Sequence, residues 1–172
     1  MAISPDTKDW TWVLNEACPE CGLAAGDVPP EQIGQRVRDD LPRWKALLAK
    51  PDAGVRPTGD IWSATEYACH VRDVFGLFTE RLALTLNEDD PEFANWDQDV
   101  TAIESDYASQ LAAPVSEELV AAGTKAAAAF DAIPPDAWDR PARRSNGSVF
   151  TAATLGQYFL HDVVHHLHDV DG

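Results

Sequence analysis

The sequence predicts an all-α protein: a four-helix bundle with an N-terminal arm and a small β-hairpin before the last helix. Three observations carry this expectation. Apolar residues recur at helical spacing in four long stretches, Pro- and Gly-containing segments punctuate those stretches, and one stretch opens with a complete capping signature. At 172 residues with 45% hydrophobic content, the chain has the size and composition of one globular domain. The expected division is an arm at 1–30 and a bundle at 31–172.

In the arm, Trp10, Trp12 and Leu14 alternate with polar residues, which predicts a short extended segment lying over apolar surface. The first helix is expected from Glu31 to Leu48, with Ile33, Val37, Leu41, Trp44 and Leu48 on one face. Pro42 should kink or split it. The second helix begins at Ser63-Ala64-Thr65-Glu66, a capping box in which Ser63 caps and Glu66 reaches back. Its face of Tyr67, Val71, Val74, Phe75, Phe78 and Leu82 continues to about Leu86. From Pro91 to Pro114 a loop and a short helix are expected, long enough to act as a crossover, whereas short connections favour antiparallel neighbours. The third long helix spans Val115 to about Ile133 and stops at Pro134-Pro135. Ser145-Asn146-Gly147 predicts a tight hairpin turn, and the last helix runs from Ala152 to about Val170.

Charge excludes more than it identifies. Twenty-nine acids against 13 Lys and Arg give a net charge of −16, which disfavours nucleic acid and anionic membranes as partners. The N-terminal MAISPDTKDW lacks a basic start and an apolar core, so no signal peptide is expected. No stretch approaches the ~20 apolar residues of a membrane span. Three cysteines, an odd number, do not suggest a disulfide framework. A cytoplasmic protein acting on a small-molecule substrate is expected. Arg140, Arg143 and Arg144 form a local basic cluster that either meets an anionic substrate or balances nearby acids.

All five histidines fall in two helices. His161 and His165 are ~40° apart and one turn displaced on an ideal helix, the spacing at which two imidazoles share an ion. His166 projects with Asp162 and Asp169 and is expected to face water, while His165 lies nearer Leu160 and Val164. His70, beside Tyr67, Val74 and Leu77, completes a candidate divalent-metal site of His70, His161 and His165, with Asp73 positioned to orient a ligand histidine. The same histidines also fit ordinary polar positions, and the spacing alone leaves both readings open. Such a ligand set suits zinc, nickel, iron or copper and leaves coordination positions open.

Cys18-Pro19-Glu20-Cys21-Gly22 has the form of half a zinc knuckle without its second half. A turn with two reduced thiols is the favoured reading. A separate site at Cys18 and Cys21, either a histidine-completed structural zinc or a redox pair, is the alternative. Cys69 and His70 point ~100° apart and are not expected to share an ion.

Trp62-Ser63-Ala64-Thr65-Glu66-Tyr67-Ala68-Cys69-His70, together with Phe150-Thr151 through His161-Asp162-Val163-Val164-His165-His166, resembles the DinB/YfiT-like superfamily of metalloenzymes. That superfamily includes the metal-binding domain of mycothiol-dependent maleylpyruvate isomerase. The resemblance covers roughly residues 31–170. It implies a four-helix bundle, His70, His161 and His165 as ligands of zinc or nickel, and a homodimer. It further implies an enzyme in which the ion activates a small thiol, supplied as a cosubstrate, for transfer or isomerisation on an electrophile. A metal-dependent hydrolase and a non-catalytic metal-binding interaction module are the alternatives. Tyr158, one turn before His161, is the candidate for proton transfer or substrate orientation.

Overall fold

The computed structural model describes residue 3 and residues 9–171. The remaining residues, including most of the first eight positions of the expected arm, lie outside the described residues.

Four long helices form the body: α1 (Ile33–Leu48), α2 (Ala64–Asn87), α4 (Ala112–Asp131) and α5 (Ala152–Asp171). The short α3 (Gln98–Glu104) lies in the connection between α2 and α4. Each of α1 and α2 packs against both α4 and α5, and they touch each other only slightly. α1 and α2, consecutive in sequence, are therefore diagonal partners, as are α4 and α5, in contrast to the adjacency expected from short connections.

α1 is continuous through Pro42. A proline there removes one backbone hydrogen bond, but Leu41 and Trp44 on either side are buried and anchor both halves to the core. At α2 the capping box is complete. The Ser63 hydroxyl accepts from the Glu66 backbone N–H at 3.2 Å, while Glu66 Oε2 accepts from the Ser63 N–H at 2.9 Å. Arg56 also donates to this buried carboxylate, fastening the preceding loop to the helix start.

The aromatic core centres on Phe159, whose ring meets those of Phe75, Phe78 and Phe130. Gly156 permits this packing: a Cβ there would lie 2.6 Å from Ile33 Cδ1 and 2.8 Å from Phe130 Cε1. The expected hairpin is present as β2 (Pro141–Arg144) and β3 (Val149–Thr151), with Gly147 at φ 95° in the turn. A third strand, β1 (Glu92–Phe93), pairs in parallel with β2 in the order β1-β2-β3, with Glu92 opposite Arg143. Two residues are too few to show a strand period in sequence.

The arm is not extended at Trp12 and Leu14; Thr11–Leu14 is a 3-10 turn. The turns at Thr11–Leu14 and Ala25–Asp27 pack on α5. Gln157 of α5 fixes the second of these turns by donating to the carbonyls of Gly26 and Val28 at 3.0 and 2.9 Å. Thus α5 has two covered faces, one under the arm and one against α2. No helix among the described residues is long and apolar enough to cross a membrane.

Candidate metal centre

The two covered faces of α5 divide the histidines. His161 and His165 turn toward the arm and His166 turns toward α2. His70, buried in the second turn of α2, faces α5. Two groups of ligating side chains result, each with its ligand atoms within 4.8 Å of one another: His70 with Asp162 and His166, and His161 and His165 with Cys18 and Cys21. The three histidines expected to share one ion are distributed between these groups. The expectation that His166 faces water is corrected. Its ring meets that of His70 edge-on at 4.6 Å and that of Tyr67 at 5.4 Å.

In the first group, Asp162 Oδ1 lies 3.5 Å from His70 Nε2 and 3.4 Å from His166 Nε2. Both His70 Nε2 and Asp162 Oδ1 are buried without a hydrogen-bond partner. Ligands bound at the ~2.0–2.2 Å typical of zinc in a tetrahedral arrangement stand about 3.4 Å apart, so these spacings and orphaned atoms fit a divalent ion. Burial holds the His70 imidazole below its ordinary pKa and hence neutral, as a ligand must be. Burial alone would raise the Asp162 carboxyl, but His70 and His166 beside it hold it below the usual range.

The surroundings orient these groups. Asp169 Oδ2 lies 3.0 Å from His166 Nδ1, which directs Nε2 inward if Nδ1 carries the proton. Trp96 stacks on His70 at 5.4 Å and Trp62 tilts against it at 5.6 Å. Asp73 does not take the orienting role expected of it; its carboxylate accepts from Tyr107 Oη and from Arg72 Nε. Asp169 was recognisable only as part of a charged arc, and its role depends on which way His166 turns.

The second group lies under the arm. Cys18 Sγ is 3.6 Å from His165 Nδ1, and His161 Nε2 is buried without a hydrogen-bond partner. Burial pushes the Cys21 thiol up to about 11 and the His161 imidazole down to about 4, with His165 adding to the latter. Cys69 stays apart, its thiol directed to Gln110 Oε1.

A cavity of about 850 Å³ opens beside these groups and is lined by Asp162, His166, Trp62, Trp96, Tyr158 and Arg144, among others. Burial, with the charge of Asp162, raises the Tyr158 phenol, and Arg144 partly opposes the shift. Tyr158 is accordingly a proton-bearing donor at neutral pH. Of the expected basic cluster only Arg144 reaches the cavity. Arg140 donates to the carbonyls of Thr85 and Glu88, and Arg143 pairs with Asp90.

A family model described as the DinB superfamily matches residues 24–170. No curated protein matches the chain. Among solved structures, the chain is similar in fold to YfiT from Bacillus subtilis, described as "a probable metal-dependent hydrolase with an unusual four-helix bundle topology". The TM-score is 0.66 at 16% identity, over 81% of each chain.

Proposed function

The chain belongs to the DinB superfamily, and from that premise we propose that it is a metal-dependent hydrolase whose ion is held by His70, Asp162 and His166. The observation that carries this reading is the pair of 3.4–3.5 Å spacings from Asp162 Oδ1 to the two imidazole nitrogens, with two buried atoms left without partners. Two histidines and a carboxylate form the protein ligand set of several hydrolytic zinc enzymes, and three protein ligands leave a position for water or substrate. When bound, such an ion lowers the pKa of a nucleophile and polarises a substrate carbonyl.

The chain's own residues supply binding and orientation. His70, neutral and wedged between Trp62 and Trp96, contributes a fixed nitrogen lone pair. Asp162 contributes the one negative ligand, and Asp169 steers His166. Tyr158 and Arg144, adjacent on the cavity wall, are the donors for an oxygen that gains negative charge during attack. Their cation–ring distance of 5.7 Å keeps the guanidinium beside the phenol. Asp97 and Asp99 also line the cavity, so a neutral or cationic substrate fits it better than a polyanion.

One observation favours a second reading, with a small thiol in place of water. The cavity lies toward the upper end of the ~300–1,000 Å³ range of ligand sites, room enough for an electrophile and a cosubstrate together. A panel of activated esters, amides and epoxides, offered to zinc- and nickel-loaded protein with and without low-molecular-weight thiols, tests both. Turnover without thiol that disappears in Asp162→Asn and His166→Ala supports hydrolysis. A strict thiol requirement supports transfer. Turnover that persists in both variants refutes the proposed site.

A further inference from the structure

We propose that Cys18, Cys21, His161 and His165 form a second, structural zinc site that clamps the N-terminal arm onto α5. This site is separate from the His70–Asp162–His166 group and does not depend on the function assigned there.

The ligand chemistry is that of a closed tetrahedral centre: two thiolates and two imidazoles, with no position left for substrate. Local structure on the arm converges the thiols. The Gly22 N–H donates to the Cys18 carbonyl at 2.9 Å, and the Cys18 N–H donates to the Leu23 carbonyl at 2.9 Å. Gly22 completes the turn at φ 76°, where a side chain would be strained although nothing blocks it sterically. This is the tight Cys-x-x-Cys-Gly turn of a zinc knuckle, and α5 provides the missing half through a pair of histidines four residues apart.

The distances agree with this assignment. Zinc–sulfur and zinc–nitrogen bonds of ~2.3 and ~2.0–2.1 Å in a tetrahedron place S and N about 3.5 Å apart. Cys18 Sγ and His165 Nδ1 are 3.6 Å apart. All four ligand atoms fall within 4.8 Å of one another, and Cys18, His161 and His165 are buried. His161 Nε2 has no hydrogen-bond partner, an orphan that native interiors seldom keep.

The outer shell supports the same reading. Glu20, inside the cysteine turn, places Oε2 3.3 Å from His165 Nε2. A proton held there leaves Nδ1 free to face the ion, the carboxylate–histidine–zinc arrangement. Trp10 covers the group, its ring 5.5 Å from His161 and 5.1 Å from His165. Zinc uptake displaces the two thiol protons to solvent. Because Trp10 and Glu20 also line the large cavity, the clamp would hold one wall of the candidate active site.

Cobalt(II) and zinc(II) titration of the reduced full-length chain tests the proposal. The native chain is expected to bind two equivalents of zinc, and its cobalt form to show thiolate-to-cobalt charge transfer with intense tetrahedral visible bands. Cys21→Ser should weaken the charge transfer, and Cys18→Ser/Cys21→Ser should abolish it with the loss of one zinc. His70→Ala should lose the other zinc and keep the charge transfer. Circular dichroism of each variant establishes that the helices remain. Absence of thiolate charge transfer in the native chain overturns the proposal, as does its disappearance in folded His70→Ala. Failure of the hydrolase reading would leave the thiolate signal unchanged, so the two failures are distinguishable.

Discussion

Replacing Asp169 by Asn tests the contribution of orientation to the His70–Asp162–His166 centre. The Asp169 carboxylate is 3.0 Å from His166 Nδ1 and is not a ligand in either group. Burial would raise its pKa, but His166 holds it below the usual range, so it is ionised at neutral pH. An ionised acceptor at Nδ1 stabilises the tautomer whose Nε2 lone pair points toward Asp162. Asparagine preserves size but removes the charge, and its amide can instead donate, favouring the opposite tautomer. Loss of such an outer partner weakens metal binding about 10–100-fold, or ~1.4–2.7 kcal/mol. Competition against a chromophoric chelator in a Cys18→Ser/Cys21→Ser background would read this centre by itself. His166→Ala, which removes a ligand, should weaken binding further. Affinity unchanged in Asp169→Asn would refute the orienting role.

The remaining predictions concern chemistry, acid stability and packing. Tyr158→Phe should lower kcat while leaving metal content intact; a lower metal content instead would contradict its assignment as a donor to substrate. Glu66 is held ionised against burial by Arg56 and Ser63, which keep its carboxyl below the usual range. Its contribution to stability is present above the unfolded value and is lost as pH falls through the folded one. Denaturant midpoints measured against pH should therefore decline at the acid end, and Glu66→Gln should flatten that decline. Gly34→Ala would place a Cβ 2.7 Å from the Ala127 carbonyl oxygen and 2.1 Å from Asp131 Oδ1. Helix propensity alone would stabilise the variant by about 1 kcal/mol. A backbone carbonyl cannot swing aside, however, so a net loss of about 1–3 kcal/mol is expected, and equal or higher stability on thermal melting would contradict it.

The bundle was legible because its signals are local. The Ser63–Glu66 capping box, the apolar faces of α1 and α2 and the Asn146-Gly147 turn each lie within a few residues, and all four long helices fall within a few residues of where periodicity places them. Adjacency was not legible, since the choice between neighbour and diagonal depends on how α4 and α5 receive α1 and α2. The histidines group differently from the expected trio for a related reason. Assigning an inward face to α5 from Leu160 and Val164 assumes a single covered side, and the arm supplies a second one. His161 and His165 are indeed buried, as their neighbours indicate, but under Trp10 and Cys18. The side facing His70 carries Asp162 and His166, whose polarity made it look like a solvated face. Glu20 and Asp169 acquire roles only through contacts with these two faces, so no spacing rule marks them.

Anomalous diffraction at the zinc edge, from crystals of the zinc-loaded protein, would locate the ion relative to the histidines of α2 and α5. A peak is expected about 2.0–2.2 Å from His70 Nε2, Asp162 Oδ1 and His166 Nε2. A peak shared by His70, His161 and His165, with His166 turned away, would contradict that placement.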